Sequence, residues 1–528
     1  MRKDKKELAL SELPLIAVYF LFFIMLTGII MVCLLFSSVD YPRKIEYLPL
    51  PLIILAGEGV LLGIYKIIQS IGFYSKCVKN KNTFVFLFGI LFLILQICII
   101  YNYYFKTDWD VSTLISCAMA IVNGDSMDEF TYYFSMYPNN LFIVYIFSKI
   151  IKFFSILGFG DGYFGILIFQ SILCAITGFM LFDIIISLKN SICLAWFGYI
   201  IYLFLVGLSP WISIPYSDSV ALFFPTAILW TYLRKVNGMV GVFFKYFIIA
   251  FLSYMGYKIK PQTFILTIAI ILIHIANIAF QKKDCRILLK KFCSKLIMVA
   301  IGILCAIFFS TNAINSLNIQ VDSEKSYGIS HFLMMGMNPE AKGVWAEEDV
   351  IFSGSFETSE ERTKMNLLKT KERLQTMGCK GFLKQMYCKT LINYNDGTFC
   401  WGGEGIFYSE ILPEKNTVVS PLLRNIYYNR DYTGKYYLIW SNFVQSIWMS
   451  VLLLSLFSIL KKKNTEIGIV MLSLVGLTLF ELIFEARARY LFCYVPLYIL
   501  LAVIGFSNIL SVKQKIMRKK NGNFERTV

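Results

Sequence analysis

Thr107-Asp108-Trp109-Asp110 sets two carboxylates, one residue apart, beside an indole and directly after a long apolar run. A carboxylate at the edge of a low-dielectric slab can have its pKa raised and can take a proton from an acceptor hydroxyl. The spacing also suits a divalent cation bridging phosphates, although two carboxylates alone specify no metal. The bland alternative is a solvated loop start. Two basic pairs sit in tight turns, Lys258 and Lys260 in YKIKPQ and Arg487 and Arg489 in FEARARYLF. Lys and Arg match phosphate oxygens, Arg with a planar fork. Against that stands internal neutralisation. Glu481, Glu485 and Arg489 are spaced four apart, as in a helical ion-pair ladder, whereas Arg487 points elsewhere on such a helix.

Further candidates have plain structural explanations beside them. Tyr137-Pro138-Asn139-Asn140 reads as a helix entry, and Pro215-Tyr216-Ser217-Asp218 as another with Asp218 as N-cap. Tyr137, Asn139 and Asp218 are also candidate substrate contacts. His331 is a candidate site residue, while His274, in mid-run, reads as a satisfied core histidine. Trp401 and Tyr408 could offer ring faces to a sugar, or simply hold down a Gly-rich loop.

These residues need a scaffold, and composition names it. The chain is 57% hydrophobic and only 16% charged, with a mean hydropathy of +0.64. A soluble domain carries roughly a quarter charged residues. Apolar runs of helix-spanning length recur at 13-36, 48-72, 83-105, 163-187, 191-209, 219-233, 241-257, 261-281, 296-315, 437-460, 465-484 and 490-511. About twenty apolar residues cross a hydrocarbon core of roughly 30 Å, and only helices or closed barrels satisfy their backbone there. The fold class is therefore an all-α polytopic membrane protein with about 12 transmembrane helices. The run from Leu13 to Phe36, after Arg2, Lys3, Lys5 and Lys6, reads as a retained first helix and not a signal peptide. The net charge of +16 would suggest nucleic acid in a soluble protein, but here Lys and Arg gather between apolar runs, as topology determinants do. No CxxC or Cys/His cluster appears, so neither a disulfide framework nor a zinc site is expected.

Charge also decides the ambiguous stretch 141-156, which carries Lys149 and Lys152. With the N-terminus cytoplasmic, the loop of Lys76, Lys79 and Lys81 lies inside. Were 141-156 to cross, the basic loops at Lys282 to Lys291 and Lys461 to Lys463 would fall outside. A surface helix at 141-156 keeps both, and the C-terminal tail, inside. The outer face then holds an outer loop at 106-162, the turns around Asp218, Lys258 and Arg487, and a long segment at 316-436. The domain organisation follows: a first membrane region over 1-315, a small extracytoplasmic α or mixed domain at 316-436, and a second membrane region with a cytoplasmic tail at 437-528. The long segment has a charged helical stretch, Glu357 to Met377, and then the aromatic, Gly-rich NYNDGTFCWGGEGIFY.

In their order and common placement these features resemble the GT-C glycosyltransferase superfamily, which includes protein O-mannosyltransferases, lipid A aminoarabinose transferases and bacterial cell-envelope glycosyltransferases. TDWDV looks like that family's catalytic outer loop, and YPNNLFIVYIFSKIIKFFSILGFGDGYFG like the surface helix that follows it. EARARYLFCYVPLYILLA looks like the late basic motif, and IKPQTFILTIA and HFLMMGMN like segments of the bacterial members. Two additional helices before the catalytic loop depart from the pattern. The resemblance implies an inverting transfer, often without metal, from a polyprenyl-phosphate sugar to a cell-envelope acceptor at the outer face of a bacterial plasma membrane. Asp108 or Asp110 would be the base, with Arg487, Arg489, Lys258 and Lys260 holding the donor phosphate. No cofactor is required on this reading, a divalent cation is compatible with it, and no nucleic acid is involved. The alternatives are a flippase or exporter, or a polymerase, of lipid-linked saccharides. An exporter should line a central path with its charges, whereas here they gather at one face.

Overall fold

The computed structural model describes residues 12–36, 48–70, 81–280, 285–405, 407–428 and 434–524, without the side chains of 81–82, 285–294 and 517–524. Arg2 to Lys6, the Lys76 to Lys79 loop, and Lys282 and Lys283 lie outside that range.

An apolar run in lipid has no polar partner but its own backbone, so each closes into a helix. The chain begins with three long helices, α1 (Leu13–Leu35), α2 (Leu50–Ser70) and α3 (Lys81–Asn102). A short strand β1 (Phe105–Thr107) leads into α4 (Trp109–Asn123), α5 (Asp128–Met136) and α6 (Leu141–Ile156). Then come α7 (Gly162–Lys189), α8 (Ile192–Tyr202), α9 (Ser217–Ala221), α10 (Phe223–Leu233), α11 (Gly238–Ile259), α12 (Ile265–Phe280) and α13 (Cys285–Asn315). The long segment supplies α14 (Ile329–Gly336), α15 (Glu347–Gly354), α16 (Ser359–Tyr394), α17 (Trp401–Glu404), β2 (Tyr408–Ile411) and α18 (Val419–Tyr427). Three helices finish the bundle: α19 (Tyr437–Leu456), α20 (Thr465–Ile483) and α21 (Val495–Phe524).

The protein is thus all-α, 81% helical with almost no sheet, and 11 helices among the described residues are long and apolar enough to cross a membrane. Two expected spans take other forms. The run at 191-209 becomes α8 continued by a wide turn over 203–207, and that at 219-233 splits into α9 and α10. Pro225 lies in the first turn of α10, where a missing N–H costs nothing. The stretch 141-156 is a helix that, with its Pro138–Asn140 entry turn, also meets the length and apolarity of a span. Its 16 residues alone reach about 24 Å at 1.5 Å per residue. One flank packs on α4 and α7, while Lys149 and Lys152 are exposed.

The core centres on α21, whose residues from Val495 to Phe506 are buried. A Cβ on Gly505 would sit 1.9 Å from the Leu454 carbonyl oxygen, so only glycine lets α21 and α19 cross this closely. The segment 316–436 divides in two. Residues 316–394 form α14 to α16, with α16 bent at Gly378, whose φ of 56° only glycine adopts freely. Residues 391–401 are then buried without interruption. Asp396 accepts hydrogen bonds from the Thr398 and Cys400 N–H groups at 2.8 and 2.9 Å, folding this segment into a turn inside the bundle. β1 pairs antiparallel with β2, Phe105 opposite Ile411, and so ties the loop after α3 to the chain leaving that turn.

Candidate functional site

The chemistry-bearing residues converge where these two chain segments meet. Helix α20 ends at Ile483, and Phe484 to Arg487 run extended before a tight helical turn over Ala488–Tyr494. In extended backbone, alternate residues share a side, so Glu485 and Arg487 point together: Glu485 Oε1 accepts from Arg487 Nε at 2.6 Å. Glu485 Oε2 accepts from the Tyr490 hydroxyl at 2.9 Å. Burial pushes the Glu485 carboxyl up, but Arg487 and the Tyr490 hydroxyl outweigh it and hold it below the usual carboxylate range.

Glu404, from the short helix α17, bridges both arginines, 2.8 Å to Arg487 Nη1 and 2.7 Å to Arg489 Nε. Arg489 Nη1 reaches Asp218 Oδ2 at 3.1 Å, and the other Asp218 oxygen is paired with Lys260. The Lys260 ammonium also lies over the Tyr490 ring, 4.3 Å from its centre. Asp218, Lys260, Glu404, Glu485 and Arg489 are all buried. Three cations and three carboxylates from four separate parts of the chain thus form one continuous network. Such an arrangement is tolerable in low dielectric only because each charge has a partner.

The aspartates of the first loop meet this network unequally. Trp109 has a φ of 57°, so the chain turns sharply between them. Asp108 is exposed, and its backbone N–H is held by the Phe407 carbonyl at 3.0 Å. Asp110 is half-buried and accepts from the Tyr216 hydroxyl at 3.0 Å. Burial, and then the Asp110 charge, pushes the Tyr216 phenol well up, so it stays a donor. The Arg489 guanidinium completes the link, 4.5 Å from the centre of the Trp109 ring and 5.2 Å from that of Tyr216. Tyr133, bonded by Asn140 at 2.8 Å, and Tyr137 both feel the Asp110 charge.

Several sequence expectations change here. The helical ladder of Glu481, Glu485 and Arg489 does not form, because α20 stops at Ile483 and Arg489 instead pairs with Asp218 and Glu404. Asp218 is not an N-cap; that position is Tyr216, and Asp218 anchors two cations from the first turn of α9. Trp401 cannot present a face to a sugar. It is fully buried, 5.5 Å from the Trp211 ring, with Nε1 donating to the Tyr427 carbonyl at 2.8 Å. Tyr408 pairs instead with the Tyr103 hydroxyl at 3.0 Å. His331 is buried too, stacked 4.5 Å from Tyr327 with Nδ1 2.7 Å from the Ser353 hydroxyl, and burial pushes its ring down to about 4. Asn139 is exposed, and its side chain donates to its neighbour Asn140. Lys258 is half-buried on the turn before Lys260, apart from the network. His274 is held in mid-helix by the Tyr232 hydroxyl at 3.2 Å.

Glu404 and Tyr216 escaped sequence reading. An isolated acid in an aromatic, Gly-rich segment was the available signal for Glu404, since a carboxylate buried there must find a cation. Two more buried polar groups lie just behind the network. Lys389 donates to the Gly336 carbonyl at 3.0 Å and to that of Phe484, and burial pushes its ammonium down to about 7. Both Glu481 oxygens lack a hydrogen bond among the described residues. No group of three or more His, Cys, Asp or Glu there converges as a metal site.

Fold and network together define a multi-span integral membrane protein with a sealed polar site at one end of its bundle. A family model described as a conserved hypothetical integral membrane protein matches residues 12–510, and the chain belongs to that family. No curated protein and no solved structure matches it.

Proposed function

We propose that the protein is a glycosyltransferase that moves a sugar from a polyprenyl-phosphate donor in the membrane to a cell-envelope acceptor. The observation that carries this reading is the approach of Asp110 to the Asp218–Arg489–Glu404 network through Tyr216 and Trp109. A half-buried carboxylate held by a protonated phenol, with a fixed guanidinium against the phenol's ring, is positioned to accept a proton from a hydroxyl. Asp110 is the base in this reading, and exposed Asp108 shapes the entrance.

The basic residues take a different role from simple phosphate clamps. Arg487, Arg489 and Lys260 each already bind carboxylates, so their first role is to hold Asp110, Tyr216 and Trp109 in place before substrate arrives. Lys258, half-buried and outside the network, is the cation left to meet a donor phosphate. On this reading 141-156 lies along the outer surface and both termini are cytoplasmic. The balanced network also favours a second reading, an exporter of lipid-linked saccharide whose ion pairs exchange partners as it opens.

Asp110→Asn keeps the shape and removes the basicity. In a gene-deletion strain complemented with the variant, sugar transfer into envelope polymers should fall by roughly 10²–10⁴-fold, the usual worth of a general base, with expression unchanged. Asp108→Asn should act more mildly. If both single variants and the double variant restore the envelope sugar composition, the enzymatic reading fails and the exporter replaces it.

A further inference from the structure

We propose a second site, at the opposite end of the bundle, that binds the phosphate of a membrane phospholipid. Four consecutive helices bring it together. Tyr232 comes from α10, Lys245 and Tyr246 from α11, His274 from α12 and Lys295 from α13. Lys245 lies 15 residues before Lys260 on the α11 side, about 22 Å away along a helix at 1.5 Å per residue, so this site is separate from the network described above.

Its geometry is that of cations held without anions. The Lys245 ammonium sits over the Tyr232 ring, 5.3 Å from its centre, and Lys295 over the Tyr246 ring at 5.0 Å. Tyr232, which carries Lys245 over its ring, also meets His274 through its hydroxyl, and Tyr246, next to Lys245 in the chain, carries Lys295, so the three groups gather around two rings and their charges act on one another. Neither lysine forms an ion pair among the described residues. The neighbouring acids are already engaged or offset. Asp183 binds Arg234 and the Trp230 indole, the latter at 2.9 Å, while Glu466 acts on Tyr232 and leaves a positive excess. The Tyr232 hydroxyl lies 3.2 Å from Nε2 of His274; in the tautomer that accepts there, the ring proton is on Nδ1, a further donor.

Two like charges drawn together beside aromatic rings repel until an anion lies between them. Phosphate suits the site, since it offers several acceptor oxygens to two ammonium groups and an imidazole N–H. Access and surroundings select a lipid over a free ion. Lys245, His274 and Lys295 are half-buried and therefore reachable, and the same helices expose apolar side chains such as Phe244, Leu272 and Ile297 around their circumference. The cluster therefore lies on helices whose outer surface is lipid-facing, as basic pockets between membrane helices do.

The test uses the full-length protein purified in detergent, with native mass spectrometry of bound dioleoyl phosphatidylglycerol and phosphatidylcholine. The parent should retain phosphatidylglycerol preferentially. Lys245→Gln with Lys295→Gln should weaken it by roughly 25-fold, from about fivefold per lysine near a headgroup. Replacing both by Arg should restore binding, which separates loss of the site from loss of the fold. Lys235→Gln, on the exposed loop beyond Arg234, should change nothing. Equal retention of the two lipids, full binding by the double Gln variant, or displacement of the lipid by inorganic phosphate at matched concentration would each overturn the proposal.

Discussion

Arg487, Arg489 and Lys260 at one end of the bundle are matched by Glu485, Glu404 and Asp218, whereas Lys245 and Lys295 at the other end sit over tyrosine rings, Lys245 also donating to the Arg234 carbonyl at 2.9 Å, with no carboxylate paired to either among the described residues. The first set is sealed, with Arg489 only 5% exposed, and the second is half-open. The contrast shows how a membrane protein uses charge for two ends. A buried, balanced network fixes geometry and costs stability when any member is lost. An open, unbalanced cluster adds little to the fold and keeps its charge for something outside the protein.

Removing Arg489 should expose this difference most sharply. Arg489→Ala strands Asp218 and Glu404 in low dielectric, and should destabilise the protein by about 3–5 kcal/mol, read as a fall in melting temperature in detergent. Arg489→Lys should recover part of that loss, because one ammonium cannot reach both carboxylates with a planar fork. A fully stable Arg489→Ala protein would mean the network is not a rigid element. Glu404→Gln keeps the shape but removes the charge that faces Arg487 and Arg489, and should cost about 1.5–3 kcal/mol.

A pH series on His331 gives a smaller effect. Its ring titrates near 6.5 when unfolded and near 4 when folded, because burial disfavours the cation. Between those values the unfolded chain binds a proton that the folded chain refuses, so stability should fall as pH drops from about 6.5 towards 4. His331→Asn should remove that part of the slope; an unchanged slope would assign it to other groups. The smallest effect is expected at the open end. Lys245→Gln with Lys295→Gln should change the melting temperature of delipidated protein by the equivalent of about 0.5 kcal/mol or less. A large loss there would erase the distinction between the two ends.

Most of the helices were legible because a twenty-residue apolar run has one stable form in lipid. The locations of Asp108, Asp110, Lys260, Arg487 and Arg489 at helix ends could be read for the same reason. Which of them meet could not. Glu481, Glu485 and Arg489 have ladder spacing, yet the extended backbone after Ile483 sends Glu485 to Arg487 and Arg489 to Glu404. Spacing predicts contacts only while one helix continues, and the ladder spacing runs past the end of the apolar run at 465-484.

The sequence by itself determined the class of protein, its helices and the chemical inventory at their ends, because hydropathy is a property of each run alone. Only the tertiary structure decided that Trp401 is a core wedge, that Glu404 bridges two arginines, and that Asp110 rather than Asp108 is linked to the network through Tyr216. Each of these depends on residues about 80 or more positions apart meeting in space. A buried charge selects its partner by distance and dielectric, and chain order carries neither.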